Sequence, residues 1–266
     1  MASDDFIAGL DLGQQGDYTA LAILERVQIA TGETQTRHVE TAPIQRFRQS
    51  IPGPMERIAR GAGAGYSYGV GSTIAAGLPT IVEEITTEVT RTEYHLRHLE
   101  RPALGTPYPA IVTLLCERLA TPPLAGATAL AVDATGVGRP VVDLLRWDKR
   151  MRAPVAPVTI TGGDSVTHEG SEYHVPKRDL VSTLQVLFQT GKLKIAAGLS
   201  LADIFIAELM NFQAKISLSG HDSYAAGPAG AGGAWREGAH DDLVLALALA
   251  CWYAERPQPN FRLLDW

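Results

Sequence analysis

Three acidic positions stand where apolar segments end or begin. Asp11 closes the apolar run from Phe6, and Asp133 closes the run Ala127 to Val132. Asp241 and Asp242 open an apolar stretch that continues to Ala254. A carboxylate at the end of a buried strand lies at the rim of its sheet, and neighbouring strand ends are roughly 5 Å apart. If the strand of Asp133 pairs beside that of Asp11, and the last helix crosses the same edge, the acids converge. Carboxylates crowded in this way repel unless protonated or bridged by cations. Oxygen-only ligands favour Mg²⁺ or Mn²⁺ over zinc. Two such ions roughly 3.5–4 Å apart activate water and stabilise the leaving oxygen in phosphodiester cleavage.

Each acid also has an ordinary structural reading. Asp11 before Leu-Gly and Asp133 before Ala-Thr-Gly both suit turns. Asp241 suits a helix N-cap, and an acid beside it suits the helix dipole. Spacing alone therefore leaves the function open. Among basic residues, Lys177 and Arg178 follow a turn and open a helix, where a phosphate can be met. Arg139 opens a helix after the second acid, and Arg236 lies just before the acidic pair. A solvated surface charge is the competing reading for each of these four. His240 beside the acids suits orienting water or a ligand, and equally capping or packing. His95, His98, His168, His174 and His221 form no metal-ligand pattern.

The elements that must position these groups are visible in the hydrophobic pattern. Phe6 to Leu12 and Tyr18 to Val27, around a polar turn with Gly13 and Gly16, read as a β-hairpin. Thr34 to Phe47 and Thr92 to Leu99 both alternate enough to be a third strand, and Thr80 to Thr92 suits a short helix. Arg60 to Ser72 is glycine-rich and reads as a loop. Residues 28–91 are thus expected to be an insertion in a smaller core. Proline starts a helix from Tyr108 to about Leu119, and Pro122-Pro123 ends it. Ala127 to Val132 and Val155 to Thr161 are buried strands, with a helix from Arg139 to about Trp147 between them. Gly162 to Asp164 is a turn. Arg178 to Thr190 and Ser200 to Phe212 are helices with one buried face. Lys215 to Leu218 is expected to begin a hairpin, and 225–234 is a glycine- and alanine-rich loop. The last helix is apolar almost all round and belongs against the sheet. The order implies an α/β fold with a mixed sheet and helices on both faces.

The chain has 266 residues, 45% hydrophobic and 20% charged, which fits one α/β domain over 1–266. A net charge of -6 argues against a surface coated with positive charge for nonspecific nucleic-acid binding. It is compatible with a carboxylate-built metal site, whose own charge the cations neutralise. Cys116 and Cys251 are far apart in apolar helical patterns and read as buried small hydrophobes. Met1 to Asp5 is short and acidic, unlike a signal peptide. Leu243 to Tyr253 falls short of the roughly 20 residues that span a bilayer. A cytoplasmic protein is expected.

Three segments carry a resemblance. Gly9–Leu24 (GLDLGQQGDYTALAIL), Val132–Leu145 (VDATGVGRPVVDLL) and Gly238–Ala250 (GAHDDLVLALALA) resemble, in order, the three acidic motifs of the nuclease domain of phage terminase large subunits. Pro176–Leu180, Glu208–Phe212, Gly220–Asp222, Arg97–Arg101 and Gly105–Pro109 are similar to that family too. The resemblance covers about 6–27 and 94–255. It implies a ribonuclease-H-like five-stranded mixed sheet, with Thr92 to Leu99 as third strand. It also implies a two-metal endonuclease with Asp11, Asp133 and the Asp241/Asp242 pair as ligands of Mg²⁺ or Mn²⁺. The implied partners are double-stranded DNA and a separate packaging ATPase, small terminase or portal protein. One departure is plain. The sequence contains no GxxxxGK[ST] loop, so the motor of a complete terminase is expected elsewhere. A structure-selective resolvase would use the same acids on the same core. Asp11-Leu-Gly also suits the nucleotide site of sugar kinases and actin-like ATPases, which need two copies of the core. A degenerate prophage protein that binds a partner without cutting is the non-enzymatic alternative.

Overall fold

Two short apolar strands lie at the centre of the sheet, and nearly all their residues are buried. β1 (Phe6–Asp11) and β4 (Thr128–Asp133) are buried on both faces, as expected for strands covered by helices on each side. The computed structural model describes residues 5–13, 16–41, 81–218 and 241–256. Around the central pair stand β2 (Ala20–Thr41), β3 (Ile81–Glu100), β5 (Val155–Thr161), β6 (Thr167–Glu169), β7 (Glu172–Pro176) and β8 (Leu193–Ile195). The helices are α1 (Tyr108–Leu119), α2 (Gly138–Trp147), α3 (Lys177–Gln189), α4 (Ala202–Leu218) and α5 (Asp242–Ala254).

Among the described residues the strands form one eight-stranded mixed sheet in the order β6-β7-β5-β4-β1-β2-β3-β8. β1 runs antiparallel to β2 and parallel to β4, while β5 runs parallel to β4 and to β7. The inner order β3-β2-β1-β4-β5 is that of a ribonuclease-H-like core. The parallel strands β1, β4, β5 and β7 all end at one edge, so their C-termini share a rim.

Side-chain alternation splits the interior into two layers. Ile7, Ala22, Leu24, Leu96, Ala131 and Val158 face α3, α4 and α5. Ala8, Leu10, Leu21, Ile23, Leu130 and Val132 face α1 and α2. Helix α5 buries every residue except Tyr253, which explains why its sequence lacks a polar stripe. Each fully buried leucine on it, such as Leu247, contributes about 1.5–3 kcal/mol.

The chain separates into two compact units. One comprises 1–29 with 91–266, and the other 30–90. In the first, Gln28 Nε2 donates to Thr92 Oγ1 at 3.0 Å. In the second, Thr31 Oγ1 donates to Val89 O at 2.7 Å, and the hydroxyls of Thr36 and Thr86 are 3.3 Å apart. Partners rise along β2 as they fall along β3, so these strands are antiparallel.

Several local expectations need correction. The helix expected over Thr80 to Thr92 is the start of strand β3. Its run of Ile81, Val82, Ile85, Thr86, Thr87, Val89 and Thr90 is β-branched and favours an extended chain. Strand β2 outruns Val27 and takes in the start of the alternation at Thr34, so that part of Thr34 to Phe47 belongs to the second strand rather than the third; residues 30–36 are exposed. The hairpin expected at Lys215 is the end of helix α4. Gln213 and Ala214 are good helix formers, and no turn residue interrupts them. Three short strands extend the expected five. β6 and β7 form a hairpin around Gly170 at φ 59°, and β8 pairs parallel to β3. The loop readings at 60–72 and 225–234, and the part of the insertion at 42–80, lie outside the described residues.

Candidate metal centre

The register of the two central strands sets the site. Phe6 is opposite Thr128, and each following pair keeps step through Leu10 and Val132. The next pair in that register is Asp11 and Asp133, on adjacent parallel strand ends, where Cα atoms are roughly 5 Å apart. Both belong to the face that carries Ile7 and Ala131, the face covered by α5.

Helix α5 reaches this point because β1 lets it come close. A Cβ on Gly9 would overlap the carbonyl oxygen of Ala246 and stand 2.8 Å from Ala250 N. Glycine is thus required for the helix to seat directly on the strand. The C-terminal end of α5 is fixed beside the start of the sheet, where Arg26 Nη2 donates to Ala254 O at 2.9 Å. The helix therefore runs back along β1, and its first residues lie at the rim near Asp11. Asp242 is buried there, and Asp241 is partly buried.

The electrostatics agree with that placement. Burial raises the Asp11 carboxyl well above its ordinary range, and Asp133, Asp242, Asp241 and Asp17 raise it further, in that order. Four neighbouring acids acting on one buried carboxyl describe a rim with excess negative charge. Asp133 also serves its own turn, since its Oδ1 accepts from Thr135 N at 2.8 Å. A Cβ on Gly138 would overlap Asp133 O, so α2 begins tight against the second acid. Among the described residues, no three histidine, cysteine, aspartate or glutamate side chains are grouped closely enough to hold an ion as they stand. What converges is the backbone positions that carry the acids, with all-carboxylate donors of the kind that suit Mg²⁺ or Mn²⁺.

Asp241 occupies the N-cap position of α5 as its bland reading expects, but its side chain makes no capping hydrogen bond. The cap comes from another helix. Glu208 Oε2 accepts from Leu243 N at 3.0 Å, while Oε1 accepts from Arg101 Nη1 at 3.0 Å. Burial pushes the Glu208 carboxyl up to about 7. The Leu243 amide and Arg101 pull it down by less, and Asp242 adds to the rise. The Arg101 guanidinium also lies 4.2 Å from the Tyr18 ring centroid, in the β1–β2 turn. Sequence reasoning gave these two residues no role. The signal was present for Glu208, which lies between Phe205 and Phe212 on the buried stripe of α4. A charge on an apolar helix face needs a partner.

The three described basic candidates begin helices that follow strands ending at this edge. Lys177 and Arg178 begin α3 directly after β7. Lys177 Nζ is 5.9 Å from the Phe212 ring centroid. Arg178 pairs with Asp164 Oδ1 at 2.8 Å and also donates to Asp164 O. Arg139, at the start of α2, pairs with Glu172 at 2.5 Å. Arg236, His240 and Gly220–Asp222 lie outside the described residues. His95 pairs with Glu93 at 3.2 Å and His98 with Glu100 at 3.0 Å. Among the described residues, no helix is long and apolar enough to cross a membrane.

No family model matches the chain, and no curated protein matches it. Among solved structures, the chain is similar to the human cytomegalovirus terminase nuclease domain, Mn soaked. The TM-score is 0.43 and the identity 11%, over 95% of this chain and 85% of that one.

Proposed function

We propose that this protein is a metal-dependent endonuclease that hydrolyses phosphodiester bonds in double-stranded DNA with two Mg²⁺ or Mn²⁺ ions. The observation that carries the reading is the in-step pairing of β1 with β4. It sets Asp11 beside Asp133 at the rim to which Gly9 admits the start of α5. The order of the three acidic sequence motifs supports the same reading.

Asp11, Asp133 and the Asp241/Asp242 pair would hold the ions, with Asp242 ahead of Asp241 as direct ligand. Gripping an ion requires these side chains to turn inward from their present positions. When bound, the ions supply water activation and stabilisation of the leaving oxygen. The protein supplies the remainder. Asp11, whose carboxyl is raised by burial and by the neighbouring acids, would give up its proton when a cation binds. Glu208 and Arg101 fix the start of α5. Lys177, Arg178, Arg139 and Arg236 would meet the DNA backbone, the three that the structure describes after leaving or sharing their present partners.

The biological setting we infer is viral DNA packaging, as a terminase-like nuclease in a bacterial cytoplasm. A separate packaging ATPase would supply translocation, and a small terminase or portal protein would complete the assembly. A nucleotide-binding reading of the sugar-kinase or actin type needs two such cores, and the described residues contain one sheet. Resolvase activity remains the second reading, tested by offering branched junctions beside linear duplex.

The test is direct. Purified protein with Mn²⁺ should nick or linearise plasmid DNA. Asp133→Ala should lose that activity by at least ~100-fold while keeping its circular dichroism spectrum. Wild-type protein that cuts no form of DNA with either metal would overturn the reading.

A further inference from the structure

We propose that Glu208, clamped by Arg101, is the positioning residue that holds the start of α5, so that Asp241 need not cap its own helix. The need for such a residue follows from the helix itself. The first amides of any helix lack intrahelical partners, and the N-cap side chain normally satisfies one. At α5 the N-cap residue is an acid whose side chain makes no such bond. If Asp241 turned back to cap its own helix, its carboxylate would be withdrawn from the rim. Glu208 takes over the task from α4, 35 residues earlier in the chain.

Arg101 makes this arrangement directional. Its guanidinium occupies the other oxygen of Glu208, and its flat face covers Tyr18. One side chain therefore ties the end of β3, the turn after β1 and helix α4 to the start of α5. Both partners are largely withdrawn from water, with side chains 14% and 6% exposed, so the pair is a fixed strut rather than a surface ion pair. Both oxygens of Glu208 are engaged by protein groups.

The metal part of this inference rests on the nuclease reading, but the capping part does not, and two measurements separate them. Amide hydrogen exchange on metal-free protein reads the cap. In Glu208→Ala the Leu243 amide should exchange about tenfold faster or more, with the rest of α5 protected. Mn²⁺ affinity, followed by the electron-paramagnetic signal of free Mn²⁺, reads the carboxylates. It should fall roughly tenfold to 100-fold in Glu208→Ala. Glu208→Gln should restore most of the Leu243 protection, because its amide oxygen still accepts from Leu243 N, while its amide nitrogen cannot accept from Arg101. If the alanine variant does not fold, Glu208→Met removes the acceptor while filling the space. Unchanged exchange at Leu243 overturns the proposal whatever the metal does. Faster exchange with unchanged Mn²⁺ affinity overturns the positioning role. Wild-type protein with no Mn²⁺ affinity defeats the nuclease reading, and the metal part of this proposal with it.

Discussion

Asp11 carries electrostatic strain at the rim, and its position explains why. It ends a strand buried on both faces, so burial and neighbouring acids both oppose its charge. The sign of the consequence can be worked out. Its folded-state carboxyl titrates above the ordinary value of 3.8, so the folded protein binds that proton more tightly than the unfolded chain. Without metal, wild type should gain stability as pH falls through the folded value toward 3.8, and carry the full cost above it. Asp11→Asn removes the cost. In chelator, the variant should melt about 2–4 °C higher than wild type at pH 8, with the gain fading toward pH 4. It should lose DNA cleavage at every pH. A variant that melts lower than wild type at pH 8 would mean the acid is compensated in the apoprotein. At this scale the positions of Asp11 and Asp133 at strand ends, and of Asp241 and Asp242 at a helix start, were legible, because such boundaries show in the hydrophobic pattern. The sequence flagged Glu208 as a charge on a buried stripe but could not show its pairing with Arg101, 107 residues away, which forms only through tertiary packing.

Between the elements, one glycine decides how closely α5 seats on β1. Gly9→Ala places a methyl group against Ala246 O and Ala250 N, and backbone atoms there have nowhere to go. The helix must shift outward. The expected cost is about 1–3 kcal/mol of stability, read by urea denaturation. The shift moves Asp242 away from Asp11, so cleavage should fall more than the loss of folded protein explains. A fully active, equally stable variant would show that the helix seats elsewhere. The elements themselves were legible wherever burial wrote a period into the chain. Helix α1 and strand β5 match their patterns residue for residue, and α2 and α5 match within one residue at the start. The continuity of β2 past Val27 and the strand character of β3 before Thr92 were not, because residues 30–36 and most of 86–91 are exposed and have no buried face to pattern. Strands β6 and β8, of three residues each, are too short to show a period.

For the whole molecule, the division into two units makes a prediction of its own. Every described candidate ligand, and both members of the Arg101–Glu208 strut, belong to the unit formed by 1–29 and 91–266. That unit closes on itself where Gln28 pairs with Thr92. Replacing 30–90 by a two-residue Asn-Gly turn should therefore leave a folded protein that still cuts DNA with Mn²⁺. Activity within about tenfold of the full chain, with a cooperative melt, is the expected result. Loss of folding would mean that the second unit completes the first. The mixed sheet with helices on both faces was legible because the alternation of buried strands and helices leaves few topologies open. The meaning of 30–90 was not, since its exposed residues 30–36 carry nothing that refers to the chemistry of the rim.

The account depends on divalent ions being held between acids from β1, β4 and α5. Crystals soaked in Mn²⁺ and measured at the manganese absorption edge test this most directly. The prediction is anomalous density within ligand distance, about 2.0–2.4 Å, of carboxylate oxygens of Asp11, Asp133 and Asp242. Well-ordered Asp11 and Asp133 side chains with no anomalous density between them, at millimolar Mn²⁺, would contradict it.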